Sequence, residues 1–175
     1  MDNKLIKHLK TVHEHRKEVR RLCFKVGLYK QGLLHDLSKY SPTELFSSVR
    51  YYTGTCSPID MEINEIGYSE CWLHHKGRNK HHAEYWVDQA HKIICDMPFE
   101  YVAEMFCDMV AASKVYLKEK YTDASAYNYA KERVEIYEKY MSKNTLSTLM
   151  FLLLSLKDKG EKETLSMIKW RINNG

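Results

Sequence analysis

The chain has 175 residues, 44% of them hydrophobic and 29% charged, with a net charge of +4. That length and mixture suit one globular domain with a sizeable core and exclude a disordered chain, and so small a charge gives no strong nucleic-acid signal. Five cysteines (Cys23, Cys56, Cys71, Cys95, Cys107) with no CxxC pair read as reduced thiols rather than a disulfide framework or a zinc-thiolate site.

The opening segment, MDNKLIKHLK, lacks an apolar signal core, and the longest greasy run, Leu146 to Leu156, is too short to span a bilayer. The expectation is a cytoplasmic protein with no membrane partner. Only seven Gly and three Pro favour long helices over tight turns.

Residues 3–26 read as one amphipathic helix. Its apolar stripe runs Leu5, Leu9, Val12, Val19, Leu22, Val26 and keeps the helical period if His15 fills the gap, so His15 faces inward and His13 outward. Gly27 ends it. Residues 28–40 read as a short buried helix with His35 and Asp36 in its apolar middle. Two ionisable side chains in such a setting are destabilising unless a partner compensates them, and a bound metal ion is one such partner.

Ser41-Pro42-Thr43-Glu44 is a helix start with a capping box, and the next helix is expected to run to about Thr53. Ser57-Pro58 repeats the start signal for a short helix or loop to Gly67. Ser69 can cap a brief helix into His74-His75. Lys76 to Lys80 is a polar loop, and His81-His82 are expected to open a helix that runs to about Cys95. Pro98 starts a long helix to about Tyr121, apolar on nearly all faces, with Asp108 in its middle; such a helix is central in a fold. Three packing helices follow at about 124–141, 145–158 and 162–173, the last two separated by Gly160. No strand, repeat or low-complexity segment stands out. The expected architecture is an all-α single domain spanning 1–175, with any metal-site core in about 8–120.

Helical proteins build metal sites from side chains that several helices turn toward one space. The candidates are His15, His35, Asp36 and Asp108, with one histidine from each of the pairs 74/75 and 81/82; His75 and His81 flank the loop most tightly. Their order and contexts resemble the HD-domain superfamily of metal-dependent phosphohydrolases: His15 on an early helix, GLLHDLSK around His35-Asp36, and CDMVAASK around Asp108. WLHHKGRNKHH resembles the middle histidines of the binuclear members. GLLHDLSKYSPTE with HHKGRNKHHAEYW is similar to an uncharacterised family of small bacterial and phage proteins.

The resemblance implies one or two divalent transition-metal ions (Mn, Fe, Co, Ni or Zn). His15, His35 and Asp108 would complete one site, His75 and His81 the other, and Asp36 would bridge. It implies hydrolysis of a small-molecule phosphate, possibly a nucleotide, with Asp36 and Lys39 catalytic and Lys76, Arg78 and Lys80 holding phosphate. Two further readings share the residues: a di-iron HD-fold oxygenase, and a degenerate HD fold serving as a binding module. The spacing from His15 to His35 is short for an HD domain.

Overall fold

Helix α1 (Asp2–Lys25) carries the stripe read from its sequence: Val19, Leu22 and Val26 are fully buried and His15 lies with them, whereas His13 is exposed. Gly27 follows at φ +91°, where an L side chain is strained, and the chain turns back. The computed structural model describes residues 2–175.

Helix α2 (Tyr29–Leu34) returns along α1 at very short range. A Cβ on Gly32 would stand 2.9 Å from the Cβ of Cys23, so only glycine allows this approach. The expected helix through 28–40 is not continuous. It ends at Leu34, His35 is non-helical, Asp36 adopts the left-handed conformation (φ 54°, ψ 26°), and a 3-10 turn follows at Leu37–Tyr40. Aspartate tolerates that region better than most residues. The freed carbonyls of Leu33 and His35 accept from the Arg16 guanidinium, at 3.2 and 2.8 Å.

The break inverts the expected burial. Leu33, Leu34 and Leu37 are exposed, while His35 and Asp36 are buried. A continuous helix would have carried the pair and its leucines around together. The left-handed residue turns only the polar pair inward.

Helix α3 (Pro42–Tyr51) starts on Ser41, whose Oγ accepts from the Glu44 N–H. The Glu44 side chain does not close the expected capping box; it is fully buried against histidines. Helix α4 (Pro58–Ile66) starts on Ser57, and α5 (Glu70–Lys76) on Ser69.

The expected helix over 81–95 is absent. A 3-10 turn at Ala83–Trp86 leads into a small antiparallel hairpin, β1 (Val87–Asp88) against β2 (Ile93–Ile94), with Val87 opposite Ile94. β-Branched residues favour the strands, and Asp88 closes the turn by accepting from the backbone and ring of His91.

Helix α6 (Phe99–Leu117) is the central element; Val102, Ala103, Phe106, Cys107, Val110 and Ala111 are all buried. It stops before Tyr121 because Lys118 takes positive φ. It packs on α1 and on α9, and α1 packs on α2. The helix expected at 124–141 is split into α7 (Ser125–Lys131) and α8 (Val134–Tyr137). Arg133 caps the break, donating to the Tyr129 carbonyl and covering its ring. Helix α9 (Lys143–Asn174) is interrupted at Gly160 (φ 80°), as its sequence predicts. Leu149, Leu152, Leu153 and Leu156 seat it in the core. The fold is an all-α single domain, and among the described residues no helix is long and apolar enough to cross a membrane.

Candidate metal centre

Three supports bring the polar residues together. α1 supplies His15, the α2 break supplies His35 and Asp36, and α6 supplies Asp108. α5 and the turn after it add His75, His81 and His82. Each of the two Asp36 carboxylate oxygens faces a separate set of imidazoles. Oδ2 lies 3.6 Å from His15 Nε2 and 3.4 Å from His35 Nε2, and Asp108 Oδ1 closes that side at 3.0 and 3.6 Å from the same two nitrogens. Oδ1 lies 3.2 Å from His75 Nε2 and 3.3 Å from His81 Nε2. His82 joins this second group, packed between the rings of Trp72, His75 and His81.

The opposite ring nitrogens are held by two buried glutamates. Glu104 Oε1 accepts from Nδ1 of His35 at 2.9 Å and lies 3.1 Å from Nδ1 of His81. Glu44 accepts from Nδ1 of His74 at 2.7 Å and of His75 at 2.8 Å. An ionised carboxylate only accepts, so each Nδ1 carries a proton, and in the neutral ring each Nε2 presents a lone pair. Those lone pairs point at the anionic oxygens of Asp36 and Asp108. Two acceptors face to face repel unless a metal ion lies between them or a proton is taken up on Nε2.

Whether the residues suit a cation can be tested on their unpaired atoms. Among the described residues eight buried side-chain polar atoms lack a hydrogen-bond partner, and five belong here: Nε2 of His15, His35, His81 and His82, and Oδ1 of Asp36. Buried polar atoms are almost always paired, so this concentration marks a space built for something else. Two ligand atoms on one divalent ion at about 2.0–2.2 Å stand about 3.0–3.5 Å apart. The observed 3.0–3.6 Å separations match. The donor set therefore fits one or two divalent ions: His15, His35, Asp36 and Asp108 on one side, Asp36, His75, His81 and His82 on the other. A third grouping, His35, His81 and Glu104, is better explained by its hydrogen-bonding Nδ1 contacts.

The electrostatics tell the same story. Burial opposes charging His35, yet Asp36, Asp108 and Glu104 outweigh it and raise its pKa well above the usual histidine value; His75 is raised in the same way by Asp36 and Glu44. Burial pushes Asp36 and Asp108 up, but the histidines, with Lys39 beside Asp36, hold both well below the usual carboxylate range. The same carboxylates thus draw a proton onto His35 and His75 when no other cation is present, and a divalent ion would take the place of those protons. Burial and the neighbouring His81 and His75 keep His82 well below its ordinary value, so its ring is neutral, as a ligand must be.

The centre is closed on one side and open on the other. The side chains of His35 and Asp36 are 0% and 1% exposed, against 19% for Asp108 and 28% for Lys39. The Lys39 ammonium lies 2.6 Å from Asp36 Oδ2 on that open side. A surface concavity along α1, lined by Glu14, Lys17, Glu18, Arg20, Arg21 and Phe24, holds none of the site residues and has no evident chemistry.

All six sequence-derived ligand candidates, His15, His35, Asp36, His75, His81 and Asp108, thus meet in one cluster. His74 does not enter it. In the basic loop between His75 and His81, Arg78 donates to the His74 carbonyl, Lys80 lies over the rings of Tyr85 and Tyr101, and none of Lys76, Arg78 and Lys80 pairs with a carboxylate of the centre. Sequence reasoning held His82 only as the alternative to His81, whereas both join the cluster, and it missed Glu44, Glu104 and Arg16. Glu104 left a signal: a second acid one turn before Asp108 in an otherwise greasy helix.

The chain belongs to a protein family described as a family of unknown function (DUF5662), whose model matches residues 4–154, a span that contains every residue of the centre. No curated protein and no solved structure matches it.

Proposed function

We propose that this chain is a metal-dependent phosphohydrolase acting on a nucleotide or another small phosphate ester. The observation that carries the reading is the division of Asp36, whose two oxygens each face a set of buried imidazole nitrogens, those of His15, His35 and His81 without a hydrogen-bond partner. The order His15, His35-Asp36, Asp108 and its resemblance to HD-domain phosphohydrolases support it. His15, His35, Asp36 and Asp108 would hold one ion, and Asp36, His75, His81 and His82 a second. When bound, such ions polarise a phosphoryl oxygen and bring the pKa of a bound water toward neutrality.

The chain's own residues do the rest. Glu104 and Glu44 fix the ring tautomers so that lone pairs face inward. Arg16 holds the break that aims His35 and Asp36. Lys39 stands at the open side, where its ammonium can turn from Asp36 to a substrate phosphate oxygen. The closed side, built by His75, His81 and Glu104, keeps bulk water away.

The test is metal quantification on protein purified without chelators, together with a phosphate-release screen over nucleotides and small phosphate esters in Mn, Fe, Co, Ni and Zn. One or two ions per chain and phosphate release that Asp36→Asn abolishes are expected. Metal-free protein that releases no phosphate in any of these metals overturns the reading.

One observation favours a second reading. The side facing Asp36 Oδ1 is nitrogen-rich, with three histidines, which suits iron. A di-iron oxygenase would show a coupled-pair Mössbauer signal after anaerobic iron loading and exposure to oxygen. Bound metal without either activity would leave a non-catalytic binding module.

A further inference from the structure

Arg16 holds the His35-Asp36 break from the side of α1, the helix that carries His15. A second residue holds it from the other side. Asn79 lies in the loop between α5 and His81, and its amide Nδ2 donates to Ser38 Oγ at 2.9 Å and to the His75 carbonyl at 2.8 Å. A carbonyl oxygen only accepts, so the amide's orientation is fixed and both of its N–H groups are used. Ser38 stands two residues after Asp36 in the 3-10 turn. Its Oγ lies 3.2 Å from His75 Nδ1, beside the Glu44 carboxylate that accepts from that ring.

The backbone of Asn79 serves the same group. Its N–H donates to the His75 carbonyl at 3.2 Å, and its own carbonyl accepts from the His82 N–H at 3.1 Å. One residue thus joins the end of α5 that bears His75, the turn that follows Asp36, and the segment that bears His81 and His82. These carry the ligand set that faces Asp36 Oδ1. Among the described residues, no hydrogen bond of Asn79 reaches α1 or α6, which carry His15 and Asp108 on the Oδ2 side.

The two sides differ in how much support they have without it. His15 and Asp108 stand on long helices packed against each other. His75 stands on a helix of seven residues, and His81 and His82 on no helix at all. So short a helix has little rigidity of its own, and a ligand set holds its geometry only when its supports are locked.

We infer that Asn79 is a positioning residue that decides whether the centre holds two ions or one: it assembles the Oδ1 side and leaves the Oδ2 side alone. The inference deepens the metal-dependent reading above and rests on it.

The test titrates manganese(II) into the metal-free full chain. Native mass spectrometry counts the ions on each chain, and electron paramagnetic resonance reads whether they are coupled. Wild type takes up two ions and gives a coupled-pair signal. Asn79→Ala binds the first ion as wild type does and the second about 10- to 100-fold more weakly, so with two equivalents of manganese the signal is that of isolated ions. Ser38→Ala removes only the tie to the Asp36 turn and weakens the second ion by less. A merely structural role would weaken both ions together. Both ions weakened alike, or neither, overturns the inference and leaves the metal centre standing. Wild type that takes up one ion at saturation also overturns it, while a one-metal hydrolase stands. Wild type that takes up none overturns both. If Asn79→Ala fails to fold, Ser38→Ala decides by the same criterion.

Discussion

Glu104 and Asp108 stand one helical turn apart on α6 and meet opposite ends of the same imidazole. Glu104 accepts from His35 Nδ1 at 2.9 Å, and Asp108 Oδ1 faces His35 Nε2 at 3.6 Å. One carboxylate orients the ring and the other shares the space its lone pair enters. The i, i+4 spacing on a rigid, buried helix fixes both positions at once. Because Glu104 also faces His81 Nδ1, a single side chain orients one histidine on each side of Asp36.

Removing that orienting carboxylate weakens metal binding without deleting a ligand. Glu104→Gln can still accept through its amide oxygen, but it lacks the charge that raises the basicity of His35 and His81. The expected loss in metal affinity is about 10- to 100-fold, with a larger loss for Glu104→Ala. Competition against a chelator of known affinity measures it. Unchanged affinity in both variants would show that Glu104 does not orient the ligands.

Helix phase made part of this legible before any coordinates. His15 falls in the apolar stripe of α1, and Asp108 stands in the middle of a helix that is apolar on nearly all faces; periodicity finds both. The break at Asp36 was not legible, since a local pattern of leucines reads as helix and the left-handed residue is held by Arg16, which lies far off in sequence. Glu44 sat in a capping-box position, and local chemistry gave it a local partner. The tertiary contact with His74 and His75 won instead. The hairpin at 87–94 was hidden because short β-branched runs do not separate from helix by period alone.

Gly32 is a second point of leverage. Its missing Cβ lets α2 lie on Cys23 and Phe24 of α1, with the added atom 2.9 Å from Cys23 Cβ and 3.2 Å from the Phe24 ring. Gly32→Ala must push α2 outward, and the His35-Asp36 turn moves with it. The expected cost is about 1–3 kcal/mol of stability, read by urea unfolding, together with lower metal content. A neutral substitution would mean that the α1–α2 contact yields without strain.

Chelation of metal-loaded protein should lower its unfolding temperature. A ligand at about 100 times its dissociation constant adds about 2.7 kcal/mol, which in a chain of this size corresponds to a fall of about 5–10 °C on stripping. Asp36→Asn keeps a residue type that tolerates positive φ but removes the charge both sides share. Its unfolding temperature should therefore not respond to chelator. A chelator-sensitive Asp36→Asn protein would place the metal elsewhere.

Away from the centre, Glu161 follows the Gly160 interruption of α9 and gathers three cations: Arg21 at 2.8 Å, Lys25 at 3.0 Å and Lys114 at 2.5 Å. Glu18 shares Arg21 and Lys114. Burial opposes ionising Glu161, but Arg21, Lys114 and Lys25 hold its carboxyl far below its ordinary 4.5; Glu18 is lowered as well, chiefly by Arg21. A carboxyl whose folded pKa is depressed adds stability that is fully present above its unfolded pKa and is lost as pH falls toward the folded value. The network is partly solvated, so its worth is set near about 1 kcal/mol. Glu161→Gln should therefore be less stable than wild type by about that amount at pH 7, and the gap should hold to about pH 5, begin to narrow below it, and keep closing as pH falls toward the depressed folded value. Urea unfolding across that range reads it, and a gap that persists undiminished at low pH would show that packing, not charge, is what the substitution removes.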